Sequence, residues 1–154
     1  MPGFRMTEVM TGQHEFAHGQ GPEGERFMEF VVDWGTRDLK AWLDPSNDCF
    51  MFNELRGVVT IEGLCDNSPC SGSLELLYFT EASIRYTFYF QTYDMLYKYV
   101  GQKTNIKPWN LPWSHTTCQG ILTRLDTGKV VSTSVTHFRL RTIPAFLRSF
   151  RFLK

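Results

Sequence analysis

A chain of 154 residues is long enough for one folded domain with its own core. Hydrophobic residues make up 42% of it, which leaves no compositional case for wholesale disorder. The 16 basic and 16 acidic residues give a formal net charge of zero, which argues against a nucleic-acid binder held by phosphate neutralisation. Aromatic residues reach 15%, and such large flat side chains suit sheet faces and barrel interiors.

Residues 1–24 are predicted to form an N-terminal segment outside the folded core. The stretch is rich in Gly, His and Glu, and we expect a short ordered start from Phe4 to Met10, then an exposed loop. His14 and His18 would face one metal only on a helix, which the glycines oppose, so they are interpreted as solvated. The segment lacks the apolar core of a secretory signal, and no run approaches the roughly 20 apolar residues that span a bilayer. We therefore expect an intracellular protein, cytoplasmic or organellar.

A strand and a short helix open the folded part. Residues 26–33 read RFMEFVVD and are predicted as the first strand. Thr36 then offers an N-cap, and Leu39, Trp42 and Leu43 share one helical face. Two interpretations of this helix stay open: it closes one mouth of a barrel, or it is a crossover helix that plugs the core.

Alternating side chains from residue 73 to residue 103 predict a three-stranded antiparallel meander. In the middle strand one face carries four apolar side chains, and the residues between them are mostly polar. The four are Ile84, Tyr86, Phe88 and Phe90. A period of two puts them on one face of a pleated strand. Short polar breaks at residues 80–82 and 91–94 separate this strand from its neighbours, and residues 56–64 supply a further strand before them.

A loop and a hairpin follow the meander. Residues 103–113 contain two prolines and two tryptophans, so we predict a long ordered loop packed down by Trp109 and Trp113. Residues 116–126 and 129–141 are predicted to pair as a hairpin around the turn Asp-Thr-Gly. His137 in its second strand is interpreted as a hydrogen-bonded structural histidine.

Residues 143–154, IPAFLRSFRFLK, predict a basic amphipathic helix. Apolar side chains recur at helical spacing, and Arg148, Arg151 and Lys154 lie between them. Such a tail docks on its own barrel, on a partner protein or on a lipid surface. The residues expected at a partner or a membrane are Trp109, Phe146, Arg148, Phe150 and Arg151.

The sequence carries no recognisable catalytic or metal-binding motif such as GxSxG, HExxH or a P-loop. Cys65 and Cys70 bracket a turn-rich hexapeptide that could close a small disulfide loop. Without a signal peptide we expect the four cysteines to be reduced. The pair supplies two zinc ligands, and nothing with zinc-like spacing completes them. We therefore predict no metal, no cofactor, no catalytic residue and a protein that is not an enzyme.

Lys103 is the strongest candidate for contact with a ligand. It follows Gly101 at the end of an aromatic strand and precedes the tryptophan-rich loop. If it points into a barrel mouth, it would meet the anionic or polar end of a bound molecule. The alternative is a solvated lysine at the end of a strand.

Several short motifs between residues 4 and 141 resemble a known domain. They are FRMTEVMTG at 4–12, DLKAWL and the following Asp-Pro at 38–45, GVVTIEGL at 57–64, GQK at 101–103 and WSHTT at 113–117. Together they resemble the calycin-like β-barrel domain attached to bacterial cholesterol-oxidase-like flavin enzymes of the glucose–methanol–choline group. The resemblance implies a barrel with a similar strand order. It carries over no catalytic residue, His115 stands where an acidic residue is expected, and the flavin-binding GxGxxG has no counterpart.

The predicted fold is mainly β: an antiparallel, up-and-down, calycin- or lipocalin-like barrel over residues 25–142. One short helix follows the first strand, and residues 143–154 form a helical tail. Two functions are expected. The first is a module that binds an apolar small molecule, such as a lipid or sterol-like compound. The second is a structural accessory subunit of a larger assembly, including a membrane-associated one. A hollow barrel would favour the first and a filled barrel the second. The expected ligand-binding residues are Trp42, Tyr86, Phe88, Lys103 and Trp113.

Overall fold

The computed structural model describes residues 2–79, 81–104, 117–138 and 143–154. Within these ranges the chain forms nine strands and two short helices. In chain order they are β1 (Gly3–Phe16), β2 (Arg26–Thr36), α1 (Leu39–Leu43), β3 (Phe52–Ile61), β4 (Cys65–Leu77), β5 (Ser83–Thr92), β6 (Met95–Lys103), β7 (Thr117–Arg124), β8 (Val130–His137), α2 (Ile143–Arg148) and β9 (Arg151–Leu153). Neither helix is long and apolar enough to cross a membrane.

Strands β1 to β8 close into a barrel. Each strand pairs antiparallel with the next in the sequence, and β1 pairs with both β2 and β8. Closure removes the free edges at which an open sheet would pair with other chains. The predicted mainly β, antiparallel, up-and-down barrel is therefore confirmed.

The predicted meander forms β4, β5 and β6. Leu74 and Gly101 lie opposite Tyr86 on the two flanking strands. The β5–β6 turn places Tyr93 and Asp94 at φ of 51° and 62°. Positive φ at both central residues is the backbone of a type I′ turn, whose twist matches that of paired strands.

Aromatic rings fill the middle of the barrel. The Phe30 ring centroid lies 5.6 Å from that of Tyr86, 5.5 Å from that of Phe88 and 5.6 Å from that of Tyr99. Phe88 and Tyr99 stack with centroids 4.5 Å apart. Such close ring contacts leave no open channel among these four side chains.

The barrel begins earlier in the chain than predicted, and residues 11–16 belong to it. The sequence predicts an exposed loop there and a barrel that begins at residue 25. In the structure β1 runs from Gly3 to Phe16 and pairs with β2 from Phe4–Thr36 to His14–Arg26. Its inward positions include Glu8 and His14, both buried, so polar side chains interrupt the hydrophobic alternation that marks the other strands.

The β3–β4 turn also lies elsewhere than predicted. Cys65 to Cys70, interpreted as a turn, forms the first part of β4, and the chain reverses at residues 62–64 with Gly63 at φ 91°. A glycine adopts this left-handed conformation without steric cost. All four cysteines are free thiols.

The predicted helix over residues 143–154 is wrong in its second half. Helix α2 ends at Arg148, and β9 pairs Phe152 with Phe4 and Arg151 with Arg5. Here β1 continues beyond its pairing with β8 and offers unpaired backbone groups to the tail. Pairing with β9 gives the free N–H and C=O groups of β1 hydrogen-bond partners. The spacing of apolar residues in the tail does not reveal this pairing.

Candidate binding site

The candidate site lies inside the barrel at the end where β1 begins and β6 finishes. We call this the Lys103 end. The last residues of β2, helix α1 and the first residues of β3 belong to the same rim. On that rim the Trp42 Nε1 donates a hydrogen bond to Asn53 Oδ1 over 3.1 Å, and the Trp42 ring meets Phe4 edge-on.

Glu8, Tyr86 and Lys103 form a buried polar cluster at this end. Their exposed fractions are 5%, 1% and 3%. The Lys103 Nζ donates to Glu8 Oε2 over 3.4 Å, and the Tyr86 hydroxyl donates a short hydrogen bond to Glu8 Oε1. The ammonium also lies 5.2 Å from the Tyr86 ring centroid and 6.0 Å from that of Phe138. One carboxylate thus joins two strands, β5 and β6, to β1.

Strand alternation explains why these polar groups point inward. Tyr97, Tyr99, Gly101 and Lys103 follow each other at a period of two, so Lys103 shares the inward face of its aromatic predecessors. Glu8 has the same relation to Met10 on β1. The interpretation of Lys103 as a solvated strand end is therefore wrong. Sequence reasoning missed Glu8, although its place two residues before a buried methionine is a usable signal.

The protonatable groups around the ion pair are neutral at physiological pH. Burial first, and then the Glu8 carboxylate, raise the pKa values of the Tyr86 and Tyr78 hydroxyls. Burial also raises the pKa of the Cys118 thiol to about 11. Its Sγ lies 3.6 Å from the Tyr99 hydroxyl. A protonated buried thiol is a poor nucleophile, so this geometry favours recognition over covalent chemistry.

Four of the five predicted ligand-binding residues are described by the structure, and they lie in three places. Tyr86 and Lys103 belong to the cluster. Phe88 is inward and buried as well, but lies deeper, packed against Phe30 and Tyr99. Trp42 lies on the rim, and Trp113 falls outside the described residues.

The predicted partner or membrane contacts lie in the tail and the tryptophan-rich loop. Arg148 and Arg151 are exposed. Phe150 is half exposed and stacks on Phe4 with ring centroids 6.0 Å apart. Trp109 and the side chain of Phe146 fall outside the described residues. The contacts themselves therefore remain predictions.

A second buried polar group lies toward the opposite end. His14 Nε2 lies 2.9 Å from the Glu62 carbonyl oxygen, and Nδ1 lies 2.9 Å from Ser132 Oγ. A carbonyl can only accept, so Nε2 carries the proton and Nδ1 accepts from the serine. Burial lowers the pKa of this histidine. The interpretation of His14 as a solvated loop residue is therefore wrong.

The described residues give no metal centre. They contain no group of three or more His, Cys, Asp or Glu side chains that could hold an ion. A groove of about 1150 Å³ lies on the outer wall, between side chains that include Thr11, Gln102, Gln119 and Val135. Its lining also includes Arg26 and Glu62, whose charged atoms lie 4.0 Å apart, but these side chains are 31% and 53% exposed, unlike the interior ion pair.

Comparisons with known proteins add no assignment. No family model matches the chain, and searches of curated proteins and of solved structures return no match. The resemblance to the flavin-enzyme domain therefore remains a prediction, and the function is argued from the site alone.

Proposed function

We propose that this protein is a non-enzymatic binding module that takes an apolar small molecule at the Lys103 end of its barrel. The polar group of the ligand would meet Glu8 and Lys103. The observation that carries the proposal is an ion pair, both partners more than nine-tenths buried, inside an otherwise largely apolar and aromatic interior.

A buried ion pair is poorly explained by stability alone. Removing two charges from water costs several kcal/mol per ion, and well-packed apolar residues in the same place are often as stable or more so. Most of this interior uses such residues, including Phe30, Phe88 and Phe90, and its other buried polar side chains are uncharged. Glu8 and Lys103 are therefore better explained by recognition of a ligand.

The ion pair has hydrogen-bonding capacity to spare. An ammonium has three donors. Across the described parts of the chain, Glu8 supplies the one acceptor recorded for Lys103. A carboxylate has about four acceptor positions, and Glu8 receives Tyr86 and Lys103. A hydroxyl or carbonyl group on a ligand could therefore join the cluster without displacing either partner.

Charge balance favours an uncharged ligand. The charges of Glu8 and Lys103 sum to zero, and Tyr86, Tyr78 and Cys118 stay protonated at neutral pH, since burial raises pKa values that already lie above it. A carboxylate ligand would leave one uncompensated negative charge in a buried site, and an amine would leave a positive one. An apolar alcohol or ketone, such as a fatty alcohol or a sterol-like compound, leaves none.

The packed middle of the barrel limits where the apolar body of the ligand can lie. Because Phe30, Phe88 and Tyr99 fill that layer, the ligand would extend from the cluster toward the rim that Phe4 and Trp42 line. The site would thus be a pocket at one mouth and not a channel through the barrel.

The test compares three probes that share one chain and differ in charge: decanol, decanoate and decylamine. Binding is measured by calorimetry and by the change in thermal midpoint. We expect the wild type to bind decanol most tightly. Glu8→Gln leaves the site positive and should shift its preference to decanoate. Glu29→Gln, which removes an outer-wall carboxylate that accepts from Thr11, should leave the order unchanged.

The outcomes separate the parts of the proposal. If the wild type binds none of the three probes, an apolar ligand at this site is wrong. If it binds decanoate at least as tightly as decanol, the binding function survives and the neutral ligand class is wrong.

The alternative, an accessory subunit, is supported by the filled middle of the barrel and by exposed apolar side chains on the same rim. Phe79 is 79% exposed and Leu43 is 59% exposed. Phe79 stacks on Phe50 with centroids 6.2 Å apart, so the rings form one patch. Native mass spectrometry of protein purified from its source tests this function. Co-purified subunits that are lost in Phe79→Ser/Leu43→Ser would support it, and a monomer that retains a small molecule would contradict it.

A further inference from the structure

A second groove lies on the outer wall of the barrel, near its junction with the tail. Its volume is about 500 Å³, and its lining consists of Arg5, Arg37, Arg56, Leu153 and Lys154. All four charged side chains are positive. The chain as a whole has zero net charge, so this groove concentrates one sign of charge on a balanced protein.

Strand pairing brings the arginines together. Arg5 on β1 lies opposite Gly35 on β2, and Arg37 follows the end of β2. Arg56 on β3 lies opposite Asp33, the next outward position on β2. Gly35 contributes no side chain between them, and a Cβ there would collide with the Phe4 carbonyl. The wall therefore carries no side chain at position 35.

The tail completes the groove. Pairing of β9 with β1 places Arg151 opposite Arg5 and Leu153 opposite Gly3, so that Leu153 and Lys154 form one side of the groove. Residues far apart in the sequence thus contribute to one basic surface.

No carboxylate neutralises these four side chains within the described residues. The ion pairs recorded there involve Arg26, Arg85, Lys103 and Arg124. The acids nearest by register are Asp33, which accepts from the Thr7 hydroxyl, and Glu54, which lies opposite Gly35. Asp38, which follows Arg37 in the sequence, accepts from the Ala41 N–H at the start of α1. Four cations against these three acids leave a local excess of positive charge.

We infer that this groove binds a phosphate monoester through the guanidinium groups of Arg5, Arg37 and Arg56. A guanidinium presents paired donors that match two phosphate oxygens. A phosphate monoester carries about −1.5 to −2 charges and three acceptor oxygens at neutral pH. It can therefore engage more than one arginine, whereas a single carboxylate brings one charge and two oxygens. This inference does not depend on the interior ligand site.

The phosphate could belong to a soluble molecule or to a lipid headgroup, and two arms of one experiment distinguish them. The first arm titrates inorganic phosphate and phenyl phosphate into the full chain by calorimetry. The second measures co-sedimentation with phosphatidylcholine vesicles that contain phosphatidic acid, whose headgroup is a monoester. Binding in the second arm alone identifies a lipid, and binding in the first identifies a soluble phosphate.

Two charge-matched pairs of substitutions test the assignment. Arg37→Gln/Arg56→Gln should weaken binding by about tenfold per guanidinium removed. Lys98→Gln/Lys129→Gln removes the same charge elsewhere on the surface and should change binding less than twofold. Arg37→Lys/Arg56→Lys keeps the charge but removes the paired donors of the guanidinium groups. We therefore still expect the affinity to fall by about tenfold.

Three results would overturn the inference. One is a wild type that binds no phosphate probe in either arm. Another is equal weakening by the two glutamine pairs. The third is unchanged binding by Arg37→Lys/Arg56→Lys. That result would mean that positive charge alone attracts the phosphate and that the guanidinium donors do not recognise it. Unchanged thermal midpoints show that each variant is folded, and the single variant Arg5→Gln serves if one pair does not fold.

Discussion

The two ends of the barrel bury polar side chains in different ways. Toward one end, His14 uses both ring nitrogens, one on Ser132 and one on the Glu62 carbonyl, and the group is uncharged. At the other, Glu8 and Lys103 form an ion pair, and the described residues leave part of its hydrogen-bonding capacity unused. Saturated polar groups stabilise a fold, whereas charged groups with spare capacity are where a ligand can bind. His14 therefore has a structural role, and the proposed ligand site uses the end with Glu8 and Lys103.

The largest expected effect comes from separating the ion pair. Glu8→Ala leaves the Lys103 ammonium buried without its carboxylate, and the free energy of unfolding should fall by about 3–5 kcal/mol. Urea denaturation measures it. Replacing both partners, Glu8→Leu with Lys103→Met, should recover most of that loss while abolishing decanol binding. A double variant as unstable as the single one would show that the pair serves stability.

His14→Ala should cost less stability and leave binding intact. It creates a cavity and leaves the Glu62 carbonyl without its ring donor, while the Ser132 hydroxyl keeps the Thr133 carbonyl at 3.4 Å. We expect a loss of about 3 kcal/mol. Decanol affinity should stay within twofold of the wild type, because the substitution lies toward the other end. A large drop in affinity in a folded His14→Ala protein would contradict the division between the two ends.

Tyr86→Phe examines the cluster without removing a charge. The buried Glu8 carboxylate loses one donor, and the expected loss of stability is about 2 kcal/mol. The freed acceptor position is then open to a ligand donor, so decanol should bind at least as tightly as it binds the wild type. Calorimetry and urea denaturation of the same preparation separate the two effects. Weaker decanol binding would mean that the tyrosine hydroxyl itself holds the ligand.

The fold could be predicted from the sequence for those strands whose buried positions carry apolar side chains. Ile84 to Phe90 alternate without interruption, and the closed barrel is what this alternation predicts. The β1 strand was underestimated because Glu8 and His14 occupy inward positions, and hydrophobic patterning treats both as exposed. The C-terminal strand was missed because its pairing depends on where β1 extends past β8, which is a tertiary fact.

Of the ion pair in the candidate site, one partner could be predicted from the sequence and the other could not. The period of two after Tyr97 places Lys103 on the inward face of β6. Lys103 could therefore be named from the sequence as a candidate for ligand contact. Its partner Glu8 lies 95 residues away in sequence, and no local pattern links the two. The basic groove combines Arg5, Arg37 and Arg56 with the tail in the same way. Long-range register, which a single sequence does not contain, decides both sites.

The smallest expected effect concerns pH and the neutral end of the barrel. The folded protein holds the pKa of His14 below its ordinary value of 6.5, with burial as the main cause. The unfolded chain therefore binds more protons below pH 6.5, and stability should fall as the pH drops from 6.5 toward the folded pKa. The slope from this one group is at most about 1.4 kcal/mol per pH unit.

The difference in unfolding free energy between wild type and His14→Gln, measured from pH 8 to 5, isolates the contribution of His14. That difference should be constant above pH 7 and shrink below pH 6.5. A constant difference throughout would mean that folding leaves the pKa of this imidazole at its ordinary value. His14 would then gain its second proton as readily as in the unfolded chain, and the contrast with the charged end would be lost.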